Sequence, residues 1–194
     1  MLDTHARKYI NPIIELGAKL FLKLKLTPNN VTIIALLVGI STSILLYFDM
    51  RVVAVILLWF SGYLDAVDGA MARKSNSSSS FGTLLDIVSD RIVEVGIIIV
   101  LGIKFIDIRL NLIILSISIL MSMVIFLTVG ACTEKKGIKS FYYQAGVAER
   151  SEGFILFSLM ILLPKYLGII TNIFSILVLF TAGQRFFEAK KILD

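Results

Sequence analysis

The sequence predicts an all-α integral membrane protein, with six transmembrane helices preceded by an amphipathic juxtamembrane helix. Three observations carry this reading. The 194 residues are 57% apolar and only 17% charged, whereas an average soluble domain is roughly 45–50% apolar and about 25% charged. Mean hydropathy is +0.90, and a chain this short exposes too much of its surface to hide so many apolar side chains in one globule. The apolar residues also fall into long runs, and about 20 such residues suffice to cross a bilayer as a helix. A soluble enzyme, a disordered tail and a disulfide-stapled secreted scaffold are all poor fits. The single Cys132 permits neither an intrachain disulfide nor a cysteine metal cluster.

The elements follow in order. The N-terminal stretch MLDTHARKYINPIIELGAKLFLKLKL is amphipathic and basic, with no small-residue cleavage site after an apolar core, so it reads as a helix lying at the membrane surface. Thr27-Pro28-Asn29-Asn30 is a helix-start signal and opens a first span over 31–48. The second span covers 52–72, the third 82–103 and the fourth 110–131. A short fifth covers 153–164 with its flanks, and the sixth covers 167–187. Residues 75–80, Ser-Asn-Ser-Ser-Ser-Ser, read as a small flexible connector. Gly39, Gly62 and Gly96 read as helix-packing sites. The expected organisation is a surface helix and lead-in over 1–30, a six-helix transmembrane domain over 31–188 and a tail over 189–194.

The charges orient this arrangement. The net charge is +5, which in a soluble protein would raise nucleic acid as a partner. Here Lys and Arg sit beside the spans instead, so no nucleic-acid partner is expected. One side receives Arg7, Lys8, Lys19, Lys23, Lys25, Arg73, Lys74, Lys135, Lys136, Lys139, Arg150, Arg185, Lys190 and Lys191; the other receives only Arg51, Lys104, Arg109 and Lys165. The richer side is expected to be cytoplasmic. Both termini then lie in the cytoplasm of a multi-pass cell-membrane protein.

Spans two and three carry charges that a bilayer disfavours: Asp65, Asp68, Asp86, Asp90, Arg91 and Glu94. A carboxylate inside a span costs roughly 2.5–3.5 kcal/mol on insertion scales and marks a functional site by default. Asp65 and Asp68 are spaced i,i+3, and Asp86 and Asp90 i,i+4, so each pair shares a helix face. Asp65 lies seven residues before Ala72 and Asp90 eight after Gly82, so at 1.5 Å per residue both reach roughly 10–12 Å below the cytoplasmic surface. Four carboxylates at one level would repel one another, and divalent cations remove that conflict. Oxygen donors with no His or Cys among them suit Mg²⁺, Mn²⁺ or Ca²⁺ rather than zinc. Gly69, Ala72 and Gly82 leave room for close approach, and Arg73 is placed to clamp a phosphate. Carboxylates, metals, an arginine and a clearing near headgroup level suit phosphoryl transfer involving a lipid. Arg91 with Glu94 fits either an ion pair or a catalytic role.

The segment Asp65-Ala66-Val67-Asp68-Gly69-Ala70-Met71-Ala72-Arg73, followed at fixed distances by Gly82, Asp86 and Asp90, resembles the CDP-alcohol phosphotransferases. It matches their D-x2-D-G-x2-A-R-x8-G-x3-D-x3-D signature at every fixed position, and Thr27–Thr32 is similar to the family's nucleotide-side segment. The resemblance implies transfer of a substituted phosphate from a CDP-lipid to a polar alcohol, with release of CMP. It implies two ions, one held by Asp65, Asp68 and Asp86 and another by Asp65, Asp86 and Asp90, with Asp90 as general base. It implies contacts to the CDP moiety from Asn29, Asn30, Val31, Thr32, Asp68, Gly69, Ala72, Arg73, Ser79 and Gly82, and it implies a homodimer. Cytidine comes from the resemblance alone.

Within the family, the DGAMAR wording and the later stretch 146–152, Gly-Val-Ala-Glu-Arg-Ser-Glu, are similar to the phosphatidylinositol-phosphate and archaetidylinositol-phosphate synthases. Those enzymes use inositol phosphate as acceptor. Two arginines of that subgroup are replaced here, by the Gly130–Glu134 stretch and by Gly153. Lys135, Lys136, Lys139 and Arg150 are the expected substitutes, although ordinary cytoplasmic-side charges would look the same, and an unphosphorylated polar alcohol stays open. The rival reading is a small divalent-cation channel or carrier using the intramembrane aspartates. Transporters usually place such a site near the midplane, on broken helices within repeats. Here the acids lie toward one face, spans two and three lack proline, and no repeat is visible.

Overall fold

The computed structural model describes residues 2–132 and 150–193, with side chains over 10–132 and 150–190. The described residues are all-α, with no strand. Helices α1 (Leu2–Lys23), α2 (Pro28–Tyr47), α3 (Arg51–Lys74), α4 (Ser80–Lys104), α5 (Arg109–Cys132), α6 (Arg150–Leu162) and α7 (Leu167–Leu193) follow one another, with short 3-10 turns before α5 and α7. They divide into two compact units, one over Thr4–Lys104 and one built on Phe105–Asp194.

Six spans are expected from the sequence, but only four described stretches are long and apolar enough to cross a bilayer: Pro28–Tyr47, Arg51–Lys74, Ile106–Cys132 and Pro164–Lys190. The two shortfalls have different causes. Helix α4 has the length, at 25 residues, but Asp86, Asp90, Arg91 and Glu94 interrupt its apolar run. Helix α6 has only 13 residues. The chain is a multi-pass membrane protein on the four that qualify.

In the first unit, the helix ends are fixed by local chemistry. Thr27 Oγ1 accepts the Asn30 N–H at 3.3 Å and Pro28 occupies the first turn, so α2 starts where the sequence signals it. Lys25, Asp49 and Asn76 adopt left-handed φ values of 57°, 61° and 49°. Each closes a helix by letting the following N–H reach back: Leu26 to Phe21 O, Met50 to Leu45 O and Ser77 to Ala72 O. Asp and Asn tolerate this region better than most residues. The serine-rich run forms the corner between α3 and α4. Asn76 stops α3, and Ser79 Oγ accepts the Gly82 N–H at 3.0 Å to cap α4.

Helix α2 packs against both α3 and α4. Gly39 makes this possible, since a Cβ there would collide with Val93 Cγ2 and lie 2.9 Å from Ser61 Oγ. Gly96 does the same for α4, where a Cβ would lie 2.6 Å from Ser43 Oγ. The core beside α1 is built from Ala18, Val31, Ala35, Leu64, Val67, Ala70 and Met71. Tyr63 donates to Ile13 O at 3.2 Å, and Lys74 Nζ lies 3.0 Å from Glu15 Oε2, so α1 is fastened to α3. Along its other side, Ile10, Ile13, Leu16, Leu20 and Leu24 form an exposed apolar stripe.

At the opposite end of the unit, Lys104 Nζ lies 2.7 Å from Asp49 Oδ2 and donates to Tyr47 O. Hydrogen bonding from Lys74 lowers the Glu15 pKa from 4.5, and that from Lys104 lowers the Asp49 pKa from 3.8. Both contributions are present above those ordinary values and are lost as the pH falls through the lowered ones.

In the second unit, α7 packs against α5 and α6. Asn111 donates to Asn172 at 2.7 Å, and Phe157 meets Phe174 edge-on at 5.1 Å between centroids. Arg185 is 9% exposed; it donates to Ser122 Oγ at 3.4 Å and its guanidinium lies 5.1 Å from the Phe126 ring centroid.

Overpacking a helix crossing costs roughly 1–3 kcal/mol. Gly39→Leu is therefore expected to lower the thermal unfolding midpoint in detergent. Gly183→Ala is expected to leave it unchanged, because nothing lies within 4 Å of a Cβ there. An unchanged midpoint for Gly39→Leu contradicts this packing.

Candidate functional site

Three helix ends meet at the site. Helix α2 contributes its first turn, α3 its last half and α4 its first half. Asp68 lies six residues before the end of α3, and Asp86 six residues after the start of α4. The corner at Asn76 reverses the chain between them, so the two acids return to one level. Carboxylate oxygens of Asp65, Asp68 and Asp86 lie within 4.8 Å of one another. Asp65 and Asp68 are buried, at 7% and 6% exposure, and Asp86 is half-buried.

At that spacing, each fully ionised pair repels by about 3 kcal/mol at an effective dielectric of roughly 20. A divalent cation among the three offsets the repulsion, and an all-oxygen donor set suits Mg²⁺, Mn²⁺ or Ca²⁺. The residues thus fit a divalent metal. Asp90 stands outside this three-carboxylate group but lines a small cleft with Asp65 of that group and with Thr32, Ala35, Ser61, Ser89 and Val93.

The remaining expected residues gather around this cluster. Val31 and Thr32 are buried at the start of α2, whereas Asn30 is exposed. Asn29 comes up against α4, where a Cβ on Gly82 would lie 3.1 Å from Asn29 Oδ1 and 3.1 Å from Ser79 Oγ. Gly82 therefore keeps the approach between the two helix starts open. A Cβ on Gly69 would lie 3.3 Å from Arg73 Nη1, so the exposed Arg73 folds back over the glycine. Ala72 is half-buried one turn below.

The acceptor residues are less completely placed. Arg150 opens α6, with its guanidinium 5.8 Å from the Phe154 ring centroid. Lys135, Lys136 and Lys139 lie outside the described residues.

Residues 25–183 match a family described as CDP-alcohol phosphatidyltransferase. The chain belongs to the CDP-alcohol phosphatidyltransferase family. The archaetidylinositol phosphate synthase of Pyrococcus horikoshii is 36% identical over 98 residues, which is 50% of this chain and 52% of that protein. The phosphatidylinositol phosphate synthase of Corynebacterium glutamicum is 35% identical over 95 residues, 48% of this chain and 43% of that protein. The chain thus spans about half the length of these curated relatives.

The crystal structure of Mycobacterium tuberculosis phosphatidylinositol phosphate synthase with CDP-DAG bound superposes with TM-score 0.74 at 22% identity, covering 92% of this chain and 94% of that one. The same enzyme in complex with manganese and citrate gives 0.73 at 22% identity, covering 91% and 88%. At that identity the likeness establishes the phosphatidyltransferase fold.

Several features of this site escape sequence reasoning. Thr32, expected as a nucleotide contact, donates to Asp68 Oδ2 at 2.5 Å across 36 positions of chain. Ser61 and Ser89 line the acidic cleft; their place three or four residues from an acid is the signal that could have found them. The burial of Arg185 is also not signalled by the sequence. Arg91 pairs with Glu94 at 2.6 Å, one of the two expectations for it.

A hydrogen-bond donor behind a metal ligand typically tunes affinity by about 10–100-fold. Thr32→Val keeps the shape and removes the donor to Asp68. It is expected to weaken Mn²⁺ binding about tenfold by titration calorimetry while leaving the metal-free unfolding midpoint within a few degrees. Unaltered Mn²⁺ affinity contradicts the support assigned to Thr32.

Proposed function

We propose that this chain is a metal-dependent enzyme of phospholipid biosynthesis that transfers a lipid-phosphate group from a CDP-lipid to the hydroxyl of a polar alcohol, releasing CMP. The observation that carries the reading is the convergence of Asp65, Asp68 and Asp86. They occupy the signature frame of the family to which the chain belongs, beside a cleft that also reaches Asp90.

Asp65, Asp68 and Asp86 would hold one divalent ion, and Asp65, Asp86 and Asp90 a second, with magnesium or manganese as the working metal. Bound there, such ions neutralise charge on the diphosphate and on the oxygen that departs with CMP. The chain's own groups supply the rest. Arg73 offers a planar pair of donors to phosphate. Asn29, Asn30, Val31, Thr32, Asp68, Gly69, Ala72, Ser79 and Gly82 surround the nucleotide. The Asp90 carboxylate takes the proton of the acceptor hydroxyl. The freed oxygen bonds to the phosphorus that carries the lipid, and the bond from that phosphorus to the CMP oxygen breaks.

A phosphorylated polyol of the inositol phosphate type is the acceptor class we favour. The relatives named above are an archaetidylinositol phosphate synthase and a phosphatidylinositol phosphate synthase, and Lys135, Lys136, Lys139 and Arg150 are the cationic residues the sequence offers to such an acceptor. In the membrane, α4 and α6 complete six spans. Carboxylates neutralised by metal make α4 less costly to bury than its charges suggest. Residues 1–30 form the surface helix and lead-in, with the stripe from Ile10 to Leu24 against lipid. Residues 31–188 form the catalytic domain and 189–194 the tail. Both termini are cytoplasmic, and the working unit is a homodimer.

A general base typically contributes about 10²–10⁴-fold. Asp90→Asn is therefore expected to cut Mg²⁺-dependent, acceptor-requiring CMP release from CDP-diacylglycerol by at least about 100-fold, with the unfolding midpoint retained. Near-normal turnover by that variant removes Asp90 from the role. Divalent-cation flux in liposomes, with no CMP release from the unaltered protein and any acceptor in a panel of polar alcohols, favours the carrier reading instead.

A further inference from the structure

Hydroxyls on the helices of this chain have a common habit. Ser116, Ser118, Ser158, Ser175 and Thr181 each donate to the carbonyl four residues earlier in the same helix. That bond is the usual way for a serine or threonine to be satisfied in apolar surroundings. Ser89 departs from it. Its side chain is 5% exposed, and its Oγ has no hydrogen-bond partner among the described residues. Thr42 and Ser43 share that property but do not line the acidic cleft, whereas Ser89 does. A buried hydroxyl without a partner is costly, so the position calls for one.

The cleft supplies the setting. Ser89 lines it next to Asp90, with Asp65, Ser61 and Thr32 on the other walls. The Thr32 proton goes to Asp68 and the Ser61 proton to Ala35 O at 2.7 Å. Ser61 therefore faces the cleft as an acceptor, and the carboxylates of Asp65 and Asp90 are acceptors too. Ser89 is the hydroxyl on these walls with a proton still to give. The walls stand close enough that the space takes about one water. A water there would accept from Ser89 and donate to two of the surrounding oxygens, which meets the two to four polar partners such a water needs.

We propose that Ser89 is a positioning residue: its hydroxyl anchors a single water in the acidic cleft, and that water fixes the carboxylate of Asp90 toward the acceptor hydroxyl. The catalytic half of this statement rests on the reading of Asp90 as general base. The water site itself does not. Ser89 touches neither donor nor acceptor, and it acts through the water by holding the Asp90 carboxylate in the orientation that presents an oxygen to the acceptor proton.

Two measurements on the full-length protein decide the matter. A structure at a resolution that shows ordered water, from the unaltered chain and from Ser89→Ala, is expected to show a water within hydrogen-bond distance of Ser89 Oγ and an Asp90 oxygen. That water is expected to be lost in the variant. A Ser89 hydroxyl turned onto Leu85 O, or a cleft without that water in the unaltered chain, overturns the proposal.

The second measurement is CMP release from CDP-diacylglycerol with inositol phosphate as acceptor. Ser89→Ala is expected to lower kcat about tenfold, with KM for CDP-diacylglycerol within twofold of normal. Ser89→Thr, which keeps the hydroxyl, is expected to recover most of the rate. A normal kcat in Ser89→Ala overturns the positioning role. If the unaltered chain releases no CMP, the functional reading fails while diffraction still decides the water.

Discussion

Mutual repulsion among Asp65, Asp68 and Asp86 is the constraint on which the first unit depends. Two of the three are buried, and all three present oxygens within 4.8 Å of one another. Left to themselves, such groups separate or take up protons. They stay together because α2 packs against both α3 and α4 and holds the two acid-bearing helices in register. Gly39 and Gly96 let the helices come close enough, and Thr32 ties α2 directly to Asp68. Asn76 and Ser79 then fix the corner that returns α4 beside α3. The packing is apolar, but its effect is electrostatic: it builds a site of concentrated negative charge that a divalent cation completes.

The same charges explain why the helices differ in their fitness for a bilayer. Helices α2 and α5 carry no charged side chain except Arg109 at the start of α5. Helix α3 qualifies as a span although it holds two aspartates near its end. Helix α4 does not, since its acids, Arg91 and Glu94 occupy its first two-thirds. Arg91 and Glu94 compensate each other at 2.6 Å. Whatever neutralises the aspartates would lower the cost of placing this helix in lipid.

Much of the first unit was legible in the sequence because helical period alone dictates it. Spacings of three and four put each acid pair on one face, and equal distances from the Ser-rich corner put both pairs at one depth. Thr27 and Pro28 announced the start of α2. What could not be read depends on register between helices. The bond from Thr32 to Asp68 joins residues 36 apart, and no local pattern distinguishes it from a nucleotide contact. The corner at 75–80 looked featureless because four adjacent serines hide the one that caps α4 and the asparagine that ends α3. Arg185 looked like a terminal charge because only packing shows that Ser122 and Phe126 enclose it. Four helices qualify as spans by length and composition rather than six because charges interrupt the apolar run of α4 and α6 is short.

The account stands on cation binding among Asp65, Asp68 and Asp86, and anomalous diffraction tests it most directly. Crystals of the full-length protein soaked in Mn²⁺, with data collected near the manganese edge, are expected to show a strong anomalous peak bounded by those three carboxylates. No peak there at saturating Mn²⁺, with the three side chains in the positions described, contradicts the account.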